Sequence, residues 1–148
     1  MLDLGCGDCT ILQGILTRNI DIEYQGIDSC SKFCSEKVIE ADIRKVPFED
    51  SSYDLVFGRH VLEHQNTFEI LLEEMIRLAS KEVIHIFFIK PTSTSSTKYF
   101  EFDSRGLCHN NYNKRLIQEY LENHPKVDSF FFKDLNQQEE ALHIQIKE

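Results

Sequence analysis

A chain of 148 residues suits one domain, 1–148, that buries enough surface to fold without a disulfide or metal staple. Its formal net charge of -9, from 16 Lys and Arg against 25 Asp and Glu, argues against a phosphate-backbone binder, so nucleic acid is not an expected partner. No apolar run is long enough to span a bilayer, and Met1 leads into a strand and a glycine turn instead of a signal peptide; the expectation is a soluble, cytoplasmic protein.

Apolar patterning alternates between strand-like and helix-like stretches, which predicts an α/β fold with a doubly wound, mostly parallel sheet. The first strand covers 1–4 and runs into Gly5-x-Gly7, a turn where glycine permits unusual backbone angles and close approach of a ligand. A helix follows from Thr10, read as its cap, with Ile11, Leu12, Ile15 and Leu16 on one face. Strands are predicted over 22–27, ending at Asp28, then 37–40 and 53–57. Phe68, Leu71, Leu72, Met75, Ile76 and Ala79 form the apolar face of a long helix, with Glu69, Glu73, Glu74 and Arg77 on its wet face. A strand over 83–89 encloses His85, read as a core residue, and stops at Pro91.

The polar run 92–97 is expected to be a mobile loop at the ligand end of the sheet. Asn110 to Asn113 start a helix carrying Leu116, Ile117, Tyr120 and Leu121. The runs 127–132 and 141–146 are joined by a connection too short for a crossover helix, so they form an antiparallel pair. The expected sheet has seven strands.

Five cysteines, with no export signal, read as reduced thiols. Cys6, Cys9, Cys30 and Cys34 have the spacing for a four-thiolate zinc site, set against small buried residues beside a ligand pocket. The expectation is no metal.

Taken together, these motifs resemble the seven-stranded, Rossmann-like S-adenosylmethionine-dependent methyltransferases, nearest the type 11, ubiquinone-biosynthesis-like branch. Leu2-Asp-Leu-Gly-Cys-Gly7 resembles the first motif of that family. Asp28, twenty-one positions past Gly7, stands where the family carries a ribose-binding acid, with Ser29 beside it. Asp42 and Ile43 stand where relatives bind the adenine amine and pack on its ring. Val46-Pro-Phe-Glu-Asp-Ser-Ser-Tyr-Asp-Leu-Val56 and Arg59-His-Val-Leu-Glu-His64 resemble the following loop, strand and post-strand segment. The resemblance implies S-adenosylmethionine as cofactor, held by Asp3, Gly5, Cys6, Gly7, Asp28, Ser29, Asp42, Ile43 and Arg59. It also implies methyl transfer to a small-molecule acceptor, with His60 and His64 as the catalytic candidates. The physical demand agrees: two acceptor groups and an approachable backbone must meet at three strand ends.

Two departures stand out. Cys9 occupies the place of a usual third glycine, and Thr10 breaks the Gly-x-Gly-x-x-Gly frame of a nicotinamide binder. Relatives also carry a helical cover ahead of the first strand. The expectation is therefore a truncated or reduced domain whose open cofactor site is closed by the 91–113 segment, a partner protein or a second copy. A non-catalytic binding domain of the same fold is the alternative. Glu63 and His64 also have a plain reading as first-turn and surface residues of the long helix. His60-Val-Leu-Glu63-His64 satisfies the H-x-x-E-H pattern of a zinc peptidase class, a remote alternative that requires both histidines on one helical face. His109 and Tyr112 are candidate acceptor-pocket residues; Tyr99, Phe100 and Phe102 are read as either pocket or core patch.

Overall fold

The computed structural model describes residues 1–30, 32, 35–93, 101–102, 104, 106 and 108–147. Most of the predicted 92–97 loop, together with Tyr99, Phe100 and Cys34, lies outside the described residues, as does the Phe102 side chain.

Among the described residues, nine strands and three helices follow in chain order: β1 (Leu2–Leu4), α1 (Thr10–Thr17), β2 (Gln25–Asp28), β3 (Val38–Glu40), β4 (Tyr53–Arg59), α2 (Glu69–Leu78), β5 (Ala79–Phe87), β6 (Glu101–Phe102), β7 (Cys108–His109), α3 (Lys114–Glu122), β8 (Val127–Asp134) and β9 (Glu140–Ile146). Seven strands make one sheet in the order β3-β2-β1-β4-β5-β9-β8, while β6 and β7 form a separate small ribbon. The first five pair in parallel; β9 is antiparallel to both β5 and β8. This is the expected parallel sheet closed by an antiparallel hairpin.

Burial follows the pattern. Leu2, Leu4, Ile27, Val56 and Val83 fill the sheet, and Leu71, Leu72, Met75, Ile76 and Leu78 of α2 pack against it. α2 lies on β4 and β5, and α3 on β8.

Several boundaries move for physical reasons. β2 begins at Gln25, which faces Leu2 of β1, and not at residue 22. Tyr24 is instead buried and donates its hydroxyl to Asp3 Oδ2 at 2.8 Å. β4 continues to Arg59, paired with Ile86. Thr10 is the first helical residue of α1 and not its cap; Cys9 holds that position in the left-handed conformation, φ 59°, with no side-chain cap.

Two acids leave their expected surfaces. Glu74 is 7% exposed; its Oε1 accepts from Val46 N at 2.6 Å and its carboxylate pairs with Arg77. It therefore anchors the loop before β4. Glu63 is fully buried and belongs to a single 3-10 turn, Leu62–His64, five residues ahead of α2, so neither Glu63 nor His64 starts the long helix.

Candidate functional site

The carboxyl end of β1 turns sharply at Gly5 (φ 72°) and Gly7 (φ 51°), and these glycines serve different needs. A Cβ on Gly5 would lie 2.1 Å from Val61 Cγ1, so Gly5 allows the post-β4 segment to pass close behind the turn. A Cβ on Gly7 would meet nothing within 4 Å, leaving its main chain approachable from outside. Gly5 N and Cys6 N both donate to Ile27 O, which ties the turn to β2.

Asp28, at the end of β2, completes this arrangement. Its Oδ2 accepts from Gly7 N at 2.9 Å and its Oδ1 from Cys30 N at 2.8 Å. Beyond β2 and β3, Ser29, Glu40, Ala41, Asp42, Ile43, Arg44 and Gln65 line an open cavity of about 570 Å³. Asp42 is exposed and bound by Arg44, whose hydrogen bonds hold its carboxyl down at about 2; Ile43 is half-buried against the core. On the other side of the turn, Asp3, Gly5, Cys6, Gly7, Asp8, Thr10, Ile11, Arg59 and His60 line a smaller cavity of about 170 Å³. Burial raises the Asp3 carboxyl to about 6, against the opposing hydrogen bond from Tyr24.

All nine predicted cofactor residues therefore fall at the carboxyl ends of β1, β2, β3 and β4, the rim where open α/β sheets bind ligands. A further cavity, about 990 Å³ between α1 and the opposite rim, is lined by Leu12, Ile15, Ile22, Tyr24, Tyr53 and others and shares none of these residues.

The catalytic candidates separate. His60 is left-handed (φ 59°), donates its N–H to Ile86 O at 2.9 Å and packs its ring on Phe88, with 5.2 Å between centroids. Its Nε2 lies 2.8 Å from Glu139 Oε1, which also accepts from Arg59 Nη2 at 2.8 Å. His64 Nδ1 meets Cys108 O at 2.7 Å, and its ring packs on Phe88 and His109. A carbonyl only accepts, so this nitrogen carries the hydrogen.

Glu63 points elsewhere. Its Oε1 accepts from Phe88 N at 2.5 Å and Ile89 N at 3.3 Å, and its Oε2 is 3.4 Å from His85 Nε2. His60, Glu63 and His64 thus turn to three different partners around a 3-10 turn, so the helical face that the zinc peptidase pattern requires is not formed here. His85 is fully buried as expected, although its Nδ1 lacks a hydrogen bond. Among the described residues no three His, Cys, Asp or Glu gather as a metal cluster; Cys6, Cys9, Cys30 and Cys108 are free thiols.

Of the two pocket candidates, His109 packs on Phe88 and His64, whereas Tyr112 is buried in the core and donates to Leu62 O and Gln65 O. Sequence reasoning missed Glu139 and Phe88. Neither carries a local signal: Glu139 reaches His60 across 79 positions of chain.

The cofactor implied by the resemblance fits these residues on one structural test. The Gly7 face stays open, so a bound molecule can approach its main chain, while the N–H of Gly7 holds the Asp28 carboxylate beside the turn.

The chain belongs to the methyltransferase domain family, whose match covers residues 2–87. Three solved structures share the fold: a protein of Pyrococcus horikoshii (17% identity, 99% of this chain and 81% of that one, TM-score 0.72), an S-adenosylmethionine-dependent methyltransferase of Methanosarcina mazei (14%, 98% and 91%, 0.71), and the 1,6-didemethyltoxoflavin-N1-methyltransferase of Burkholderia thailandensis with bound S-adenosylhomocysteine (11%, 99% and 70%, 0.68). Membership of this methyltransferase family makes S-adenosylmethionine the cofactor. Among the described residues no helix is long and apolar enough to cross a membrane.

Proposed function

We propose that this chain is an active methyltransferase domain acting on a small molecule that carries an ionisable O–H or N–H group. The observation that carries this reading is the junction of Gly7 and Asp28: an unobstructed glycine main chain hydrogen-bonded to the acid that ends the next strand.

S-adenosylmethionine supplies a methyl group already activated by its sulfonium charge, so the protein has to position the acceptor and manage its proton. Asp3, Gly5, Cys6, Gly7 and Arg59 would hold the amino-acid end, Asp28 and Ser29 the ribose, and Asp42 and Ile43 the adenine. Asp42 would exchange part of its pairing with Arg44 for the adenine amine. His60, on the wall of the smaller cavity, would take the acceptor's proton, with His64 assisting beside Phe88. The rings of His60, His64, His109 and Phe88 favour a flat acceptor. The net charge of -9 favours a small molecule over a nucleic acid.

The larger cavity is open, and Asp42 and Arg44 on its wall have side chains 49% and 57% exposed. That supports closure by a partner protein or a second copy. Isothermal titration with S-adenosylmethionine tests the reading: saturable binding with one site per chain is expected, and no heat at millimolar ligand overturns it. Binding without turnover over a broad acceptor panel would instead mark a non-catalytic domain.

A further inference from the structure

Glu139 sits in the turn between β8 and β9, yet it is bound to the rim of β4. Its Oε1 takes hydrogen bonds from His60 Nε2 and Arg59 Nη2, each at 2.8 Å, and its Oε2 takes one from Asn136 Nδ2 at 2.7 Å. The turn is braced, since Asn136 Oδ1 accepts from Gln138 N and Glu139 N at 2.8 Å each. Backbone N–H groups of Leu135 and Asn136 also donate to Glu139 O. His60 is equally constrained by its left-handed backbone, its bond to Ile86 O and the Phe88 ring.

Hydrogen bonds from Arg59, then Asn136 and His60, lower the Glu139 carboxyl to about 2, so it is ionised near neutral pH. An ionised carboxylate has no proton to give; the hydrogen it shares with His60 must ride on Nε2. Neutral His60 then keeps its lone pair on Nδ1, which makes no hydrogen bond among the described residues. A histidine's reactive nitrogen is set by what the other nitrogen binds.

We propose that Glu139 is a positioning residue for methyl transfer: it fixes His60 in the Nε2–H tautomer, presents Nδ1 as the basic atom, and stabilises the imidazolium that forms. The inference rests on the proposed role of His60 as base. In the step it supports, the acceptor's O–H or N–H bond breaks with its electron pair left on the acceptor, and the proton joins the Nδ1 lone pair. Glu139 remains a carboxylate throughout. An acid that orients a histidine in this way acts through geometry and charge, without taking up the proton. The charged and titratable groups around His60 are Arg59 on β4, Glu139 on the hairpin, Asp3 and Asp8 across the smaller cavity, and His64 and His109 beyond Phe88.

The test is nitrogen NMR of the full chain labelled at histidine, with the His60 signal assigned by its loss in His60→Ala. Neutral His60 in the unsubstituted protein is expected to carry its hydrogen on Nε2. Glu139→Gln, which keeps a hydrogen-bond acceptor but removes the charge, should lower kcat by about tenfold while the KM for S-adenosylmethionine stays within about twofold. Glu139→Asp, which keeps the charge, should recover most of the lost kcat. A merely structural tie between hairpin and rim would be kept by the amide and would leave kcat unmoved. Hydrogen on Nδ1 in the unsubstituted protein, or an unchanged kcat in Glu139→Gln, overturns the proposal. Should Glu139→Gln fail to fold, the tautomer of the unsubstituted chain still decides. Calorimetry with S-adenosylmethionine separates the two readings: no binding removes the methyltransferase role, whatever the tautomer.

Discussion

The two halves of the carboxyl rim are assembled in different ways. On the side of β1 to β3, the parts are short stretches that each strand delivers at its own end: the glycine turn, Asp28 with Ser29, and Asp42 with Ile43. On the side of β4 and β5, the parts come from distant chain: His60 meets Glu139 79 positions on, and His64 meets Cys108 44 positions on. The first half is built from backbone turns, whereas the second needs the whole sheet in register before its side chains meet. Damage to the turns should therefore appear in folding and cofactor affinity, and damage to the second half in turnover.

Gly5→Ala is the severest test. A Cβ there would lie 2.1 Å from Val61 Cγ1 at φ 72°, combining overpacking with left-handed strain. A loss of about 4 kcal/mol is expected from those two causes, read as the shift in a urea unfolding midpoint. Gly7→Ala makes the matched control, because it meets nothing within 4 Å. Stability should fall by only about 1 kcal/mol, while S-adenosylmethionine affinity by calorimetry drops more than that strain alone explains.

His60→Ala probes the other half. Turnover should fall by about 10²-fold or more while cofactor affinity stays within about twofold, since general-base catalysis is lost and the turn is untouched. Unchanged turnover would remove His60 from the site.

Asp3 offers a pH-dependent contrast. Its folded pKa of about 6 lies above the ordinary 3.8, so its contribution to stability is fully present below about pH 4 and is lost as pH rises through 6. The full swing is on the order of 3 kcal/mol. Asp3→Asn should flatten that part of the stability curve, measured as urea midpoints at pH 4 and pH 7; an unchanged slope would place its cause elsewhere.

The mildest change is Cys9→Gly. Cys9 holds φ 59°, a conformation that a non-glycine residue adopts at a cost, and a gain of about 1 kcal/mol in stability is expected. Tighter cofactor binding in the same variant would tie the relaxed turn to the pocket.

These contrasts explain what could be read in advance. Period-two and helical patterning located every strand of the large sheet and all three helices, because each buries one face or stripe against the same core. Gly5, Gly7 and Asp28 were legible because their roles rest on local backbone geometry. The left-handed cap at Cys9 was not, since cysteine gives no such signal and only the crowding of the turn reveals it. The buried positions of Glu63 and Glu74 were also hidden. A helical wheel assigns a carboxylate to solvent, but Phe88 N and Val46 N come from other elements to receive these two. Glu139 was beyond reach for the same reason, as one acid among Gln137, Gln138 and Glu140 until the hairpin folds over β5.

The placement of β9 has a further bearing on how the protein is made. It fills the gap between β5 and β8, so the strand nearest the middle of this half of the sheet is also the last of the nine to leave the ribosome. Until residue 146 has emerged, β5 presents an unsatisfied hydrogen-bonding edge and β8 has no sheet to join. Nascent chains shorter than this carry an adhesive flank during synthesis, and they are the species for which a chaperone would compete.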